Sequence, residues 1–163
     1  MHADPGTCYA GGEHVLGCGH CGFAAAMLVS NASDSGAWRC VLSTTTCSAF
    51  GPDAADCPAA GVCYGIDDTN PFGPDTDVER TVDGGRDWTQ IGPNSSQVLS
   101  DLSCANASTC SIVGSGGAIA SITNGTTVHA QVSPTRTDLS AIACPGPEVC
   151  FAVGDDGTIV VGR

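Results

Sequence analysis

The sequence predicts an all-β fold made of β-propeller blades of four antiparallel strands, about three and a half of them in 163 residues. Three observations carry this expectation. A cysteine pair with five intervening residues occurs three times, as Cys57–Cys63, Cys104–Cys110 and Cys144–Cys150, and its second members lie 47 and 40 residues apart. Short runs rich in Val, Ile, Phe and Thr flank each pair, separated by turns of Gly, Asp, Asn and Ser. No stretch keeps apolar residues at three- and four-residue spacing between caps, and 22 Gly with 9 Pro oppose long helices.

One unit therefore reads strand, Cys, turn, Cys, strand, Gly-rich turn, strand, polar turn and fourth strand. The units fall at approximately 1–45, 46–95, 96–135 and 136–163 of a single propeller region, 1–163. The first opens at what corresponds to a second strand, Cys8-Tyr9-Ala10, carries an inserted loop, and reaches its polar turn at residues 31–38. In the second unit, Cys57 and Cys63 precede an acidic loop, residues 67–79, and the turn Thr81 to Trp88. The third has Ser111-Ile-Val, the turn Gly114-Ser-Gly-Gly117, Ala118-Ile-Ala-Ser-Ile, and a polar turn from Ser121, starting 40 residues after Thr81. The fourth has Val149-Cys-Phe-Ala-Val and Gly157-Thr-Ile-Val-Val around Gly154-Asp-Asp-Gly157, a hairpin signal. Propellers close with about four to eight blades. An incomplete or excerpted propeller is expected, with self-association through unpaired blade edges as the alternative.

Thr81-Val-Asp83-Gly-Gly85-Arg-Asp87-Trp88 resembles the Asp-box of BNR-repeat propellers, S/T-x-D-x-G-x-T-W, and departs from it at Asp87. Residues 121–128 keep Ser121 and Gly125 but carry Thr123 and Val128 in place of the Asp and Trp. Cys150-Phe-Ala-Val-Gly-Asp-Asp-Gly-Thr-Ile-Val is similar to sialidase-like and photosystem-assembly-factor-like propeller repeats. The resemblance implies a stapled hairpin turn between third and fourth strands. There Asp83 accepts turn N–H groups, Gly85 permits positive φ and Trp88 buries its ring. Thr81, Asp83, Gly85, Trp88, Ser121 and Gly125 are structural on this reading.

Eleven cysteines in one short chain point to an oxidising compartment, so a secreted or cell-surface location and disulfides within the three spaced pairs are expected. The opening MHADPGTC lacks the basic start and apolar core of a signal peptide, which leaves a removed leader or an excerpt of a longer chain. His14, Cys18, His20 and Cys21 have the donor types for a tetrahedral zinc site; disulfide use within an inserted loop is the alternative. The acidic loop, with Asp67, Asp68, Asn70, Asp75, Asp77 and Glu79, is the calcium candidate against a solvated insertion loop. Phe72, two prolines and the lack of flanking helices exclude an EF-hand.

The formal charge of −12 comes from 17 carboxylates against 5 arginines, with no lysine. Scattered cations in an acidic chain make nucleic acid a poor partner, and the longest apolar run, residues 23–29, is too short for a membrane span. A sialidase-like activity would need an arginine cluster and a Tyr–Glu pair. Only Tyr9 and Tyr64, with Glu13, Glu79 and Glu148, are available, and no catalytic motif is present. The function expected is a non-enzymatic, extracytoplasmic binding or scaffold module for protein or glycan, without a cofactor unless calcium. The alternative is part of a sialidase-like or other glycoside hydrolase with catalytic residues outside this segment.

Overall fold

The computed structural model describes residues 52–67, 76–92 and 95–162 in full, and the strand placement of residues 7–15, 23–31 and 39–40. These residues form four antiparallel meanders. The first sheet holds β1 (Thr7–Val15), β2 (Phe23–Asn31) and β3 (Arg39–Cys40). The second holds β4 (Ala54–Ala59), β5 (Val62–Asp67), β6 (Asp77–Thr81) and β7 (Thr89–Gln90). The third holds β8 (Leu99–Asn106), β9 (Thr109–Gly114), β10 (Ile119–Thr123) and β11 (Thr127–Ala130). The fourth holds β12 (Leu139–Gly146), β13 (Val149–Gly154) and β14 (Ile159–Gly162). The order is sequential in every sheet, which is the arrangement of propeller blades. No helix among the described residues is long and apolar enough to cross a membrane.

Turn chemistry sets the hairpins. Asn124 and Gly125, at φ 53° and 73°, make the tight turn between β10 and β11, the conformation an Asn-Gly pair favours. Gly114 and Gly154 are needed for a different reason. A Cβ at either would come within 2.2 Å of the Val98 carbonyl oxygen or 2.0 Å of the Asp138 carbonyl oxygen, so the connecting chain can pass close against each strand end.

The three expected disulfides are present, with Cα separations of 4.0, 3.8 and 4.1 Å for Cys57–Cys63, Cys104–Cys110 and Cys144–Cys150. All lie inside the bridging limit of about 7 Å, and each clamps the first two strands of its sheet.

Strand alternation gives each sheet two faces, and facing sheets bury theirs together. Tyr64, Ile66 and Val78 of the second sheet pack against Leu102, Ile112 and Ile122 of the third. On the opposite face of the second sheet, Trp88 covers the Cys57–Cys63 disulfide. Val113 of the third sheet packs with Leu139 and Ala152 of the fourth. Polar contacts repeat between the first strands. Asp56 Oδ2 accepts the Cys104 N–H at 2.7 Å, Asp101 Oδ2 accepts the Ile142 N–H at 2.8 Å, and Ser103 Oγ accepts the Cys144 N–H at 3.0 Å. Each satisfies a backbone donor that an edge strand would leave open. The outer face of the fourth sheet is uncovered, with Phe151 45%, Val153 43%, Ile159 70% and Val161 53% exposed.

Candidate functional site

The two fully described sheet junctions differ in what fills them. In the second sheet Tyr64 pairs across to Arg80, and both point toward the third sheet. Tyr64 is wholly buried, its hydroxyl donates to the Ala107 carbonyl at 2.8 Å, and the Arg80 guanidinium lies 5.8 Å from its ring centroid. That distance is within cation–π range. In the third sheet the same register pair is Ser111 with Ser121. Two small hydroxyls stand where a phenol and a guanidinium fill the previous junction.

Both serines line a cleft of about 360 Å³ between the third and fourth sheets, at the smaller end of the range of roughly 300–1,000 Å³ for ligand sites. One wall presents the hydroxyls of Thr109, Ser111, Ser121 and Thr123. Val113, Ile119, Ile142, Ala152 and Val160 give it an apolar base. Cys150 also lines it, with its Sγ 3.6 Å from Ser111 Oγ. Glu148 is the single charged side chain among the described residues that line it. An aliphatic base, a wall of hydroxyls and one carboxylate can bind and orient a ligand.

The turn Thr81 to Trp88 lies elsewhere and satisfies its own polar groups. The Thr81 hydroxyl donates to Asp83 Oδ1 at 2.7 Å and accepts the Gly85 N–H at 3.0 Å, while Asp83 Oδ1 accepts the N–H groups of Arg86 and Asp87 at 3.0 and 3.1 Å. The Thr81 hydroxyl and the Asp87 and Arg86 amides hold the Asp83 carboxyl below the usual carboxylate range. Gly84 and Gly85 take φ of 80° and 93°. The third sheet is turned differently. Thr81 pairs with Cys63, whereas Cys110 pairs with Ile122, so Ser121 sits one register position short of Thr81. Gly125 keeps the positive φ, but in the tight turn no side chain takes the part of Asp83.

Of the calcium candidates, Asp67, Asp77 and Glu79 are described, and Asp68, Asn70 and Asp75 lie outside the described residues. Asp67 and Asp77 are register partners, and Asp77 Oδ1 accepts from Gln90 Nε2 at 3.1 Å. Burial, with Asp77 beside it, pushes the Glu79 carboxyl above its ordinary range. No group of three or more metal-binding side chains occurs among the described residues. His14 is placed on β1; Cys18, His20 and Cys21 lie outside the described residues.

No family model and no curated relative matches the chain. Solved structures do. A structure of YCF48 bound to a D1 peptide has a TM-score of 0.54 and 15% identity, covering 86% of this chain and 46% of that one. A nidogen/laminin complex has a TM-score of 0.56 and 12% identity, covering 83% of this chain and 50% of that one. The chain thus spans about half the length of either structure. Both neighbours are propeller proteins. With the sequential meanders and disulfide-clamped blades, the likeness establishes the fold: an all-β, incomplete propeller whose described blades have three or four antiparallel strands.

Proposed function

We propose that the chain is a non-enzymatic, extracytoplasmic binding module that takes a protein or glycan ligand at the cleft between its third and fourth sheets. The observation that carries this reading is the substitution of Ser111 and Ser121 for the Tyr64–Arg80 filling of the preceding junction. Where the second sheet fills its register slot with two large side chains, the third sheet lines the cleft with hydroxyl-bearing residues. In the structures compared, one propeller is bound to a peptide and the other belongs to a protein complex, which supports a binding or scaffold role in general. Three disulfides support an oxidising location. The Asp-box identity of Thr81 to Trp88 belongs to the same proposal, with its self-satisfied hydrogen bonds as support and residues 121–128 as a shortened relative.

The test screens the oxidised 163-residue chain on a glycan array and a peptide array, with fluorogenic glycosides assayed in parallel. Saturable binding without turnover, lost when Ser111 and Ser121 are replaced by bulky residues, is expected. Turnover of a glycoside would replace this reading with a glycoside hydrolase.

A further inference from the structure

We infer that Asn124 is a site of spontaneous deamidation, gated by a hydrogen-bonded network that joins the second and third sheets. Of the five asparagines, Asn31, Asn70, Asn94, Asn106 and Asn124, only Asn124 precedes a glycine. A following residue without a side chain leaves its amide nitrogen unhindered for attack on the carboxamide. Asn124 is exposed in the β10–β11 turn, and its φ of 53° is one that asparagine tolerates. Gly125 beside it is buried, and its N–H donates to the Ser108 carbonyl at 2.9 Å. Ser108 is itself held from two sides. Its N–H and hydroxyl both donate to Asn106 Oδ1 at 2.9 Å, and the adjoining Ala107 carbonyl accepts the Tyr64 hydroxyl at 2.8 Å.

The reaction needs the Gly125 nitrogen as its nucleophile. With its proton lost to base, that nitrogen bonds to Asn124 Cγ, the Cγ–Nδ2 bond breaks, and Nδ2 takes up a proton and leaves as ammonia. The five-membered succinimide then adds water at one of its two carbonyls, giving aspartate or isoaspartate, with no change of oxidation state. An N–H committed to Ser108 inside a buried turn is not deprotonated until the turn opens, so the rate follows the population of the open turn. The product then changes the junction that gated it. Isoaspartate adds one carbon to the main chain within a tight turn and puts a further carboxylate on a chain of charge −12. Gly125 has no room to move toward the second sheet in response, since a Cβ there would stand 2.9 Å from the Tyr64 hydroxyl. Deamidation therefore marks molecules whose junction has opened and leaves that junction loosened.

The experiment incubates the oxidised 163-residue chain at neutral pH beside the acetylated, amidated peptide Ser-Ile-Thr-Asn-Gly-Thr-Thr-Val, which repeats residues 121–128. Peptide mapping by mass spectrometry, with chromatographic separation of isoaspartate, gives the rate at each asparagine. Asn124 should convert ahead of the other four, yet at least about tenfold more slowly than the free peptide. Tyr64→Phe and Asn106→Ala each remove one support of the segment that carries Ser108 and leave residues 124 and 125 unchanged. Each should speed conversion by about twofold to tenfold, the Boltzmann weight of one ordinary hydrogen bond, while the circular dichroism spectrum stays that of the wild type. The isolated isoaspartate form should melt lower than the unmodified chain by about 2–4 °C. Faster conversion at another asparagine overturns the site, and so does an Asn124 left intact in all three chains after the peptide has converted. Conversion of the folded chain at the peptide's rate, or a rate unmoved in both variants, overturns the gate. An isoaspartate form that melts with the wild type overturns the loosening.

Discussion

Tyr64 and Phe151 occupy the same place in their units, one residue past the second cysteine of each pair, yet their surroundings differ. Tyr64 is fully buried between the second and third sheets, whereas Phe151 is 45% exposed on the outer face of the fourth. Replacing Tyr64 by Ala removes a buried aromatic ring, a loss of about 3–5 kcal/mol. It also leaves the Ala107 carbonyl without its 2.8 Å donor, adding about 1 kcal/mol. Tyr64→Phe keeps the ring and isolates the hydrogen bond, so it should cost only about 1 kcal/mol. Phe151→Ala gives up a ring that water already reaches, and less than about 1.5 kcal/mol is expected from its remaining burial. Urea denaturation of the oxidised protein, followed by circular dichroism at constant m-value, measures all three. If Phe151→Ala lowered the midpoint as far as Tyr64→Ala, the fourth sheet's outer face would be covered in solution and the junction comparison would fail.

Trp88→Ala should destabilise by about 3 kcal/mol, the lower end for a large aromatic because the ring is half-buried over Cys57–Cys63. Val128→Ala, in the corresponding place of the third sheet, should shift the melting temperature less. Under mild dithiol treatment Cys144–Cys150 should open first, because the cysteines of the other two pairs are at most 7% exposed and access limits attack; alkylation and mass spectrometry give the order. Glu79 has its folded-state pKa raised by burial and then by Asp77. Its stabilising contribution is therefore present at low pH and lost as pH rises through that pKa. Glu79→Gln should raise the melting temperature at pH 7, with the difference vanishing below the carboxylate range. Asp83 is the reverse case, lowered by the Thr81 hydroxyl first and the Asp87 amide next. Its contribution is lost as pH falls through the folded pKa, and Asp83→Asn should remove that part of the wild type's acid sensitivity.

Much of the fold was legible in the chain because its signals are local. Alternating β-branched runs, Gly-rich turns and a five-residue cysteine spacing each report on one hairpin, and their recurrence reports the blade. The cleft was not legible, because it is a difference between junctions. Ser111 and Ser121 are unremarkable until strand register places them where Tyr64 and Arg80 stand, and register depends on the lengths of two turns. Counting 40 residues from Thr81 lands on Ser121, but Thr81 lies 18 residues past its partner Cys63 and Ile122 only 12 past Cys110, so the shorter connection puts Ile122 in Thr81's place. The position after the second cysteine, Tyr64, Ser111 and Phe151 in turn, is the signal that could have exposed the gap. The polar ladder of Asp56, Asp101 and Ser103 was equally hidden, since each side chain serves an N–H 41 to 48 residues away.

The most direct measurement is the thermal stability of the oxidised chain carrying Ser111→Tyr, Ser121→Arg, or both. If the cleft is the unfilled counterpart of the Tyr64–Arg80 slot, the paired variant should melt above the wild type. The two changes should then be coupled favourably by about 0.5–3 kcal/mol, as for residues in contact. A paired variant that melts below the wild type, with the two changes merely additive, would mean that the third and fourth sheets are already packed as closely as they can be, and that the cleft is no binding site.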